Sequence, residues 1–525
     1  MSKHTIANSN IENLGVKSAA IAYFAFLGKL ISLISGMLML IVVARVIGPV
    51  QYGVYTVALA VAGLIGAFGS INIGSYFNKV IPKLLVKKQF AMIGILLGDG
   101  LSFVFILSAI LALSGIIIAN SVSVLVFGSG TYVTDVDIAM LSIIGIILYP
   151  ILSQILVGIG TGNEVAVSSV AGLVFQAISS TTLVLLGFGA IGALIGYALG
   201  YFLAAIITLY MIHKHYNLKL MASGIRKRLS HILNFSVPIT LSGISSTLTQ
   251  NFSIVLLSLI LVPTGIIGQY GVASRIGNVI DVVAGAISVV LIPMFSSALQ
   301  KRRSISKVGE LYEGSLYYGF LFTAPIIVYA SVLSKDIVVT IFTSAYKLTI
   351  LYMPLIGVGI LISLISGFAL SLIISIGQVR WVLKYTVLTS IIQVVTMIIL
   401  AYFLQVLGVL IAYFYIGNIV LGIFCITKLR SLGINLHAAP LIRVIIASVI
   451  LSVIMLPLIF LTIRPLYVLL IGIVVALVAY PAVTVMTRAV SKNEMNALYK
   501  ISKDIPLIGN VFGLLLDYGR IFLRE

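Results

Sequence analysis

The chain is poor in charge, in acidic residues and in cysteine. Only 9% of its 525 residues are Asp, Glu, Lys or Arg, against about a quarter in soluble domains, which excludes an ordinary water-soluble fold. Its one cysteine, Cys425, excludes an internal disulfide and a cysteine-based metal site. The five histidines, His4, His213, His215, His231 and His437, fall in segments outside the apolar runs that are expected to be cytoplasmic, without a deep pocket of partners. No catalytic residue, metal or cofactor is therefore expected, and the protein reads as a non-enzyme. The hexapeptide GFGAIG at 187–192 matches a dinucleotide fingerprint by letter but follows no strand and opens no βαβ unit. The phosphate-binding pattern G-x-x-x-x-G-K-[ST] does not occur.

What is present is apolar. Hydrophobic residues make up 61% of the chain and mean hydropathy is +1.23. Runs of about 20 residues, each enough to cross roughly 30 Å of hydrocarbon as a helix, recur from residue 21 nearly to the end. They predict an all-α integral membrane protein with helices near 21–44, 53–78, 91–118, 138–159, 167–186 and 191–212. A second set lies near 234–260, 268–297, 315–333, 351–376, 385–404 and 409–427, followed by 444–463 and 467–487, fourteen in all. The polar N-terminus lacks the layout of a cleaved signal peptide, so the first helix is expected to remain as an anchor.

Basic residues orient these helices, because loops rich in Lys and Arg stay in the cytoplasm. With both termini inside, about 26 of the 32 Lys and Arg fall on the cytoplasmic side. Opposite them stand Arg45, Lys335, Lys347 and Arg464. A multi-pass protein of the plasma membrane with cytoplasmic ends is the expectation. The same asymmetry accounts for the net charge of +19 through topology and anionic lipid heads, and no nucleic-acid module is present. The tail from Ser491 to Glu525 mixes LIGNVFGLLL with Lys500, Lys503, Arg520 and Arg524, as in an amphipathic segment lying on the inner leaflet.

An internal repeat is legible. VIGPVQYGVYTV at 46–57 and TGIIGQYGVASR at 264–275 share Gln-Tyr-Gly-Val. Gly192-Ala-Leu-Ile matches Gly408-Val-Leu-Ile, and Gly162-Asn163 matches Gly377-Gln378, at nearly the same offset and in the same order. Each repeat holds six helices, an even number, so the two are parallel, and such halves are commonly related by an axis along the membrane normal. The expected organisation is a six-helix lobe at 1–220, a second at 221–430, two added helices at 431–490 and the cytoplasmic tail at 491–525.

The stretch ARVIGPVQYGVYTVALAVAGLIGAFGSINIG, with LSHILNFSVPITLSG at 229–243 and IGQYGVASRI, resembles the polysaccharide-synthesis family of oligosaccharide-lipid flippases. That family belongs to the multidrug, oligosaccharidyl-lipid and polysaccharide exporter superfamily. The resemblance implies a V-shaped pair of six-helix bundles around a cationic cavity. It also implies transfer of polyprenyl-phosphate- or diphosphate-linked oligosaccharide to the outer leaflet, for cell-surface polysaccharide or protein glycosylation. Membrane lipids, and glycosyltransferases or a polymerase of the same pathway, are the partners it implies. A proton- or sodium-coupled exporter of cationic drugs is the alternative within the superfamily.

Charges within the membrane are candidates for function, because each costs several kcal/mol unless it faces a cavity or a partner. Lys29 lies about nine residues inside the first helix, too deep for easy snorkelling. Arg275 suits a phosphate bidentately. Related lipid II flippases use cavity cations on the first and eighth helices, and the resemblance carries that role to Lys29 and Arg275. Asp281, six residues past Arg275, lies about 120° around the helix, so a same-face ion pair is not expected. Asp99 and Asp281 either bind a coupling ion or balance nearby cations. Asn72, Gln250 and Asn251 either bond sugar hydroxyls or join helices.

Overall fold

The computed structural model describes residues 3–69, 71–215, 225–300, 305–434 and 438–490. Helices account for 92% of it, and no strand occurs among the described residues. A helix satisfies its own backbone hydrogen bonds, the condition for lying in hydrocarbon. The chain divides into two compact units, Met1–Gly268 and Gln269–Glu525. The first holds α1 (Lys3–Gly69), α2 (Ile73–Val86), α3 (Phe90–Ile117), α4 (Ala119–Phe127), α5 (Val133–Ile159), α6 (Gly162–Leu183), α7 (Gly189–His215) and α8 (Ile225–Leu259). α9 (Thr264–Gln300) opens in the first unit and runs on in the second. The second unit continues with α10 (Ile305–Val332), α11 (Ser334–Ile341), α12 (Lys347–Ser375), α13 (Val379–Leu410), α14 (Gly417–Ser431), α15 (Ala439–Met455) and α16 (Pro465–Met486). Among the described residues, nine stretches are long and apolar enough to cross a membrane.

The second predicted helix, 53–78, needs correction. α1 bends at Gly48 (φ 72°, ψ 175°), passes Pro49 and continues to Gly69. A non-helical break follows, and α2 carries the chain on to Val86. The cause is visible in the spacing: Ile73, Phe77 and Ile81 are all buried and recur every fourth residue, one apolar face that runs past Lys79. Two further helices, α4 and α11, occupy segments expected as external loops. Each is too short to span a bilayer. α4 is tied down where Ser258 Oγ donates to the Val126 carbonyl at 2.5 Å.

Several local arrangements recur in the two units. α4 and α11 each lead into a 3₁₀ turn, Gly130–Tyr132 and Ser344–Tyr346. Each turn carries an aromatic pair, Phe127 with Tyr132 at 4.9 Å and Phe342 with Tyr346 at 5.9 Å. Gly160 and Gly377 end α5 and α12 in the left-handed region, φ 91° and 87°, as a Schellman cap demands. Their next residues donate backward alike, Thr161 N–H to Leu156 and Gln378 N–H to Ile373. Gly377 is thus matched in conformation by Gly160, two residues before the Gly162 of the sequence match. Gln176 on α6 lies against Gly200 on α7, and Gln393 on α13 against Gly417 on α14. A Cβ on either glycine would overlap the glutamine side chain. The amide partners differ: Gln176 reaches Met39 Sδ at 3.4 Å, whereas Gln393 donates to the Tyr413 carbonyl at 2.8 Å within the π-turn Ile411–Ile416.

GFGAIG is the connection between α6 and α7. Gly187 (φ 92°) and Gly189 (φ 56°) let the chain reverse there, and Gly192 then faces back onto Leu183. The last two helices join the core of the second unit. Tyr317 Oη donates to the Ala489 carbonyl at 2.6 Å, Tyr329 Oη to Leu469 at 3.1 Å and Tyr480 Oη to Leu321 at 3.0 Å. Three such bonds between α10 and the α16 segment matter because lipid gives no hydrophobic drive for helix association. Cys425 is buried in this core.

Candidate functional site

The break between α1 and α2 gathers a set of connected polar side chains. A helix start leaves its first amides without intrahelical acceptors, and in hydrocarbon these must be supplied. The Asn72 N–H donates to Thr240 Oγ1 at 2.8 Å, and Thr240, on α8, donates to the Ser236 carbonyl at 2.7 Å. Ser75 Oγ donates to Asn72 Oδ1 at 2.7 Å and lies 3.2 Å from Gln154 Oε1 on α5. Gly74 permits this approach, since a Cβ there would stand 2.9 Å from Gln154 Cβ. The start of α2 is thereby held between α5 and α8 by hydrogen bonds.

One turn beyond Ser75 comes Lys79, and one turn further Lys83, both exposed. The i, i+4 spacing puts the hydroxyl and the two ammonium groups on one face of α2. Sequence reasoning missed Lys79 because it closed the helix at 78 and left this lysine to a loop. The buried series Ile73, Phe77, Ile81 was the signal that could have found it.

The other sequence candidates are dispersed. Asn251 is half-buried, donates from Nδ2 to the Thr247 carbonyl at 2.9 Å, and lies against Gly63 of α1. Gln250 beside it is exposed. Asp99 on α3 is fully buried. In the second unit Arg275 and Asp281 are both exposed on α9, about 9 Å apart along the axis by helical rise. The side chain of Lys29 lies outside the described residues, as does the expected amphipathic tail. Among the described residues no group of three His, Cys, Asp or Glu could hold a metal ion.

Thr240 gives a direct check on the break. Thr240→Val removes the acceptor of the Asn72 N–H and should cost about 1–3 kcal/mol, whereas Thr240→Ser should restore most of it. Thermal melts of the detergent-purified protein measure both; equal melts for valine and wild type would remove Thr240 from the network.

Comparison with solved structures places this architecture. The chain is similar to a lipid II flippase, MurJ, in an inward closed conformation, with TM-score 0.67 and 18% identity over 90% of this chain and 99% of that one. It is similar to an inward-facing multidrug resistance MATE transporter of the MOP superfamily, with TM-score 0.64 and 18% identity over 76% and 94%. A MOP superfamily transporter from Pyrococcus furiosus gives TM-score 0.51 and 16% identity over 78% and 94%. The fold is thus that of multi-pass MOP superfamily transporters. No curated protein matches the sequence. Residues 20–299 match the polysaccharide biosynthesis protein family, and with more than half of its length in that match the chain belongs to this family.

Proposed function

We propose that the protein is a flippase that moves polyprenyl-phosphate- or polyprenyl-diphosphate-linked oligosaccharide from the cytoplasmic to the outer leaflet of the plasma membrane by alternating access. The observation that carries this reading is the extent of the likeness to the lipid II flippase. It covers 90% of the chain, against 76% for the multidrug transporter, a margin large enough to hold α15 and α16. The expected partners are the glycolipid, membrane lipids and the glycosyltransferases or polymerase that make or use the glycan.

Fourteen helices in two parallel sets of six plus two is the plan that goes with it. In its support, three of the apolar stretches, 31–69, 162–215 and 379–431, each contain a bend or turn, at Gly48, Gly187 and Gln405. α8 and α9 complete the number. The duplication is supported by Gly160 with Gly377, Gln176 with Gln393 and Gly200 with Gly417, each pair at one constant spacing. The lobes then run over 1–220 and 221–430, ahead of 431–490 and 491–525, and the basic loops put both termini in the cytoplasm.

Lys29 and Arg275 are the substrate cations in this reading. Arg275 is exposed on an apolar helix, where a cation is costly against lipid unless it meets a partner or a cavity, and this makes it a candidate for the phosphate. Lys79 joins them, with Asn72 and Gln250 for sugar hydroxyls and Asn251 tying α8 to α1. Asp99 and Asp281 balance charge or take a coupling ion.

The second reading, a coupled exporter of cationic drugs, is favoured by the likeness to the multidrug transporter. A cation site needs accessible carboxylates without a competing cation: Asp99 is fully buried, and the exposed Asp281 shares its helix with the exposed Arg275. Binding to the purified protein separates the two: polyprenyl-linked glycans should bind and a cationic dye should not. Dye binding that depends on Asp99 or Asp281, without glycolipid binding, would replace the first reading by the second.

A further inference from the structure

We infer that the paired ends of α13 and α14 form a binding site for the headgroup of an anionic phospholipid, distinct from the transported substrate. α13 and α14 form a hairpin in which Gln393 meets Gly417 and Tyr385 packs on Phe424 in a tilted arrangement with ring centroids 4.8 Å apart. Trp381 packs on Tyr385 at 4.4 Å, one turn nearer the start of α13. The antiparallel register brings Lys428, one turn past Phe424, to the level of Trp381. Arg380, Lys384 and Arg430 are exposed at the same end, and Lys384 Nζ stands 5.6 Å from the Tyr385 ring centroid.

Two features turn this cluster toward a lipid phosphate. The stretch 379–431 is apolar enough to span the membrane, so Trp381 and Tyr385, near its end, belong at the interface where aromatic rings sit among headgroups. The four cations also lack compensation. No Asp or Glu occurs in the sequence between Asp336 and Glu494, and among the described residues none of the four has a carboxylate partner. Guanidinium and ammonium groups around an aromatic shelf fit one phosphate whose acyl chains run down the apolar face of α13, where Leu388, Ile391 and Val395 are exposed. Topology alone accounts for basic residues at this face, but not for four of them at one end of the hairpin, without an acid among the described residues, beside a trio of aromatic rings in contact.

Trp381 is the only tryptophan in the chain, so intrinsic fluorescence reports on this place alone. The full-length protein is reconstituted in phosphatidylcholine vesicles holding a small fraction of lipid brominated near the headgroup end of its chains. That lipid is phosphatidylglycerol in one arm and phosphatidylcholine in the other. Brominated phosphatidylglycerol should quench Trp381 beyond its mole fraction, and inorganic phosphate in the buffer should leave the excess in place. Lys384→Gln and Lys428→Gln should each lower the enrichment roughly fivefold, with the emission maximum in plain phosphatidylcholine unchanged as the control for folding. Equal quenching by the two brominated lipids, or an excess that survives both substitutions, would overturn the site. Loss of the excess on adding inorganic phosphate would make it a soluble-anion site and overturn the lipid assignment.

Discussion

Replacing Gly53 by alanine should lower the melting temperature of the detergent-purified protein by about 3–5 °C, the equivalent of about 3 kcal/mol at this size. Gly53 and Gly268 form a backbone-to-backbone crossing. A Cβ on Gly53 would fall on the Thr264 carbonyl, and a Cβ on Gly268 on the Pro49 carbonyl. Neither obstacle is a side-chain tip that can swing away, so one helix must shift. The helix that would shift starts at the Gly48–Pro49 bend, and moving it disturbs the packing beyond. Gly268→Ala should behave alike, and the double variant should cost less than the two effects added, because one displacement relieves both overlaps. Gly36 is the control. Nothing lies within 4 Å of its would-be Cβ, so Gly36→Ala in mid-helix should be neutral or gain about 0.5–1 kcal/mol. A Gly53→Ala melt indistinguishable from wild type, given a silent Gly36→Ala, would rule out the close crossing.

This crossing shows how far the sequence could be read. Gln-Tyr-Gly-Val was visible as a repeated tetrapeptide, and its positions prove to be structural: Gly53 sits in the crossing, and each glutamine caps another helix. Gln51 Oε1 accepts from the Ala190 N–H at 3.2 Å, and Gln269 Oε1 from the Leu348 N–H at 2.7 Å. What the glutamines bond could not be foreseen, because their partners are distant in sequence and are not equivalent positions. The Gln176–Gly200 and Gln393–Gly417 pairs were legible in principle, with identical spacing, yet residues scattered over two helices make no contiguous motif. The long helices were legible because hydrocarbon allows little else. The break at Asn72 was not, since no proline or charge marks it and its amide is satisfied by a hydroxyl on another helix.

If the proposed function holds, removing Lys29 and Arg275 should abolish glycolipid capture. A hydrogen bond between a charged group and a phosphate contributes about 1.5–3 kcal/mol, so Lys29→Gln or Arg275→Gln should each weaken binding of a polyprenyl-diphosphate glycan by about 10–150-fold. The double variant should fall below detection at concentrations that saturate the wild type. Arg275→Lys separates geometry from charge. It keeps the charge but loses the planar fork, so it should recover only part of the affinity if the phosphate is held bidentately, and nearly all of it if only the local field matters. The sign of the driving force follows from the same charges. An anionic headgroup moving outward with the inside negative gains about 2.3 kcal/mol per charge per 100 mV, a bias of about fiftyfold per charge. Collapsing the potential in proteoliposomes should therefore slow outward flipping of a diphosphate-linked glycan more than that of a monophosphate-linked one. Rates indifferent to the potential for both lipids would leave an ion bound at Asp281 or Asp99 as the source of direction, and Asp281→Asn and Asp99→Asn would then be the variants that stop transport while glycolipid still binds.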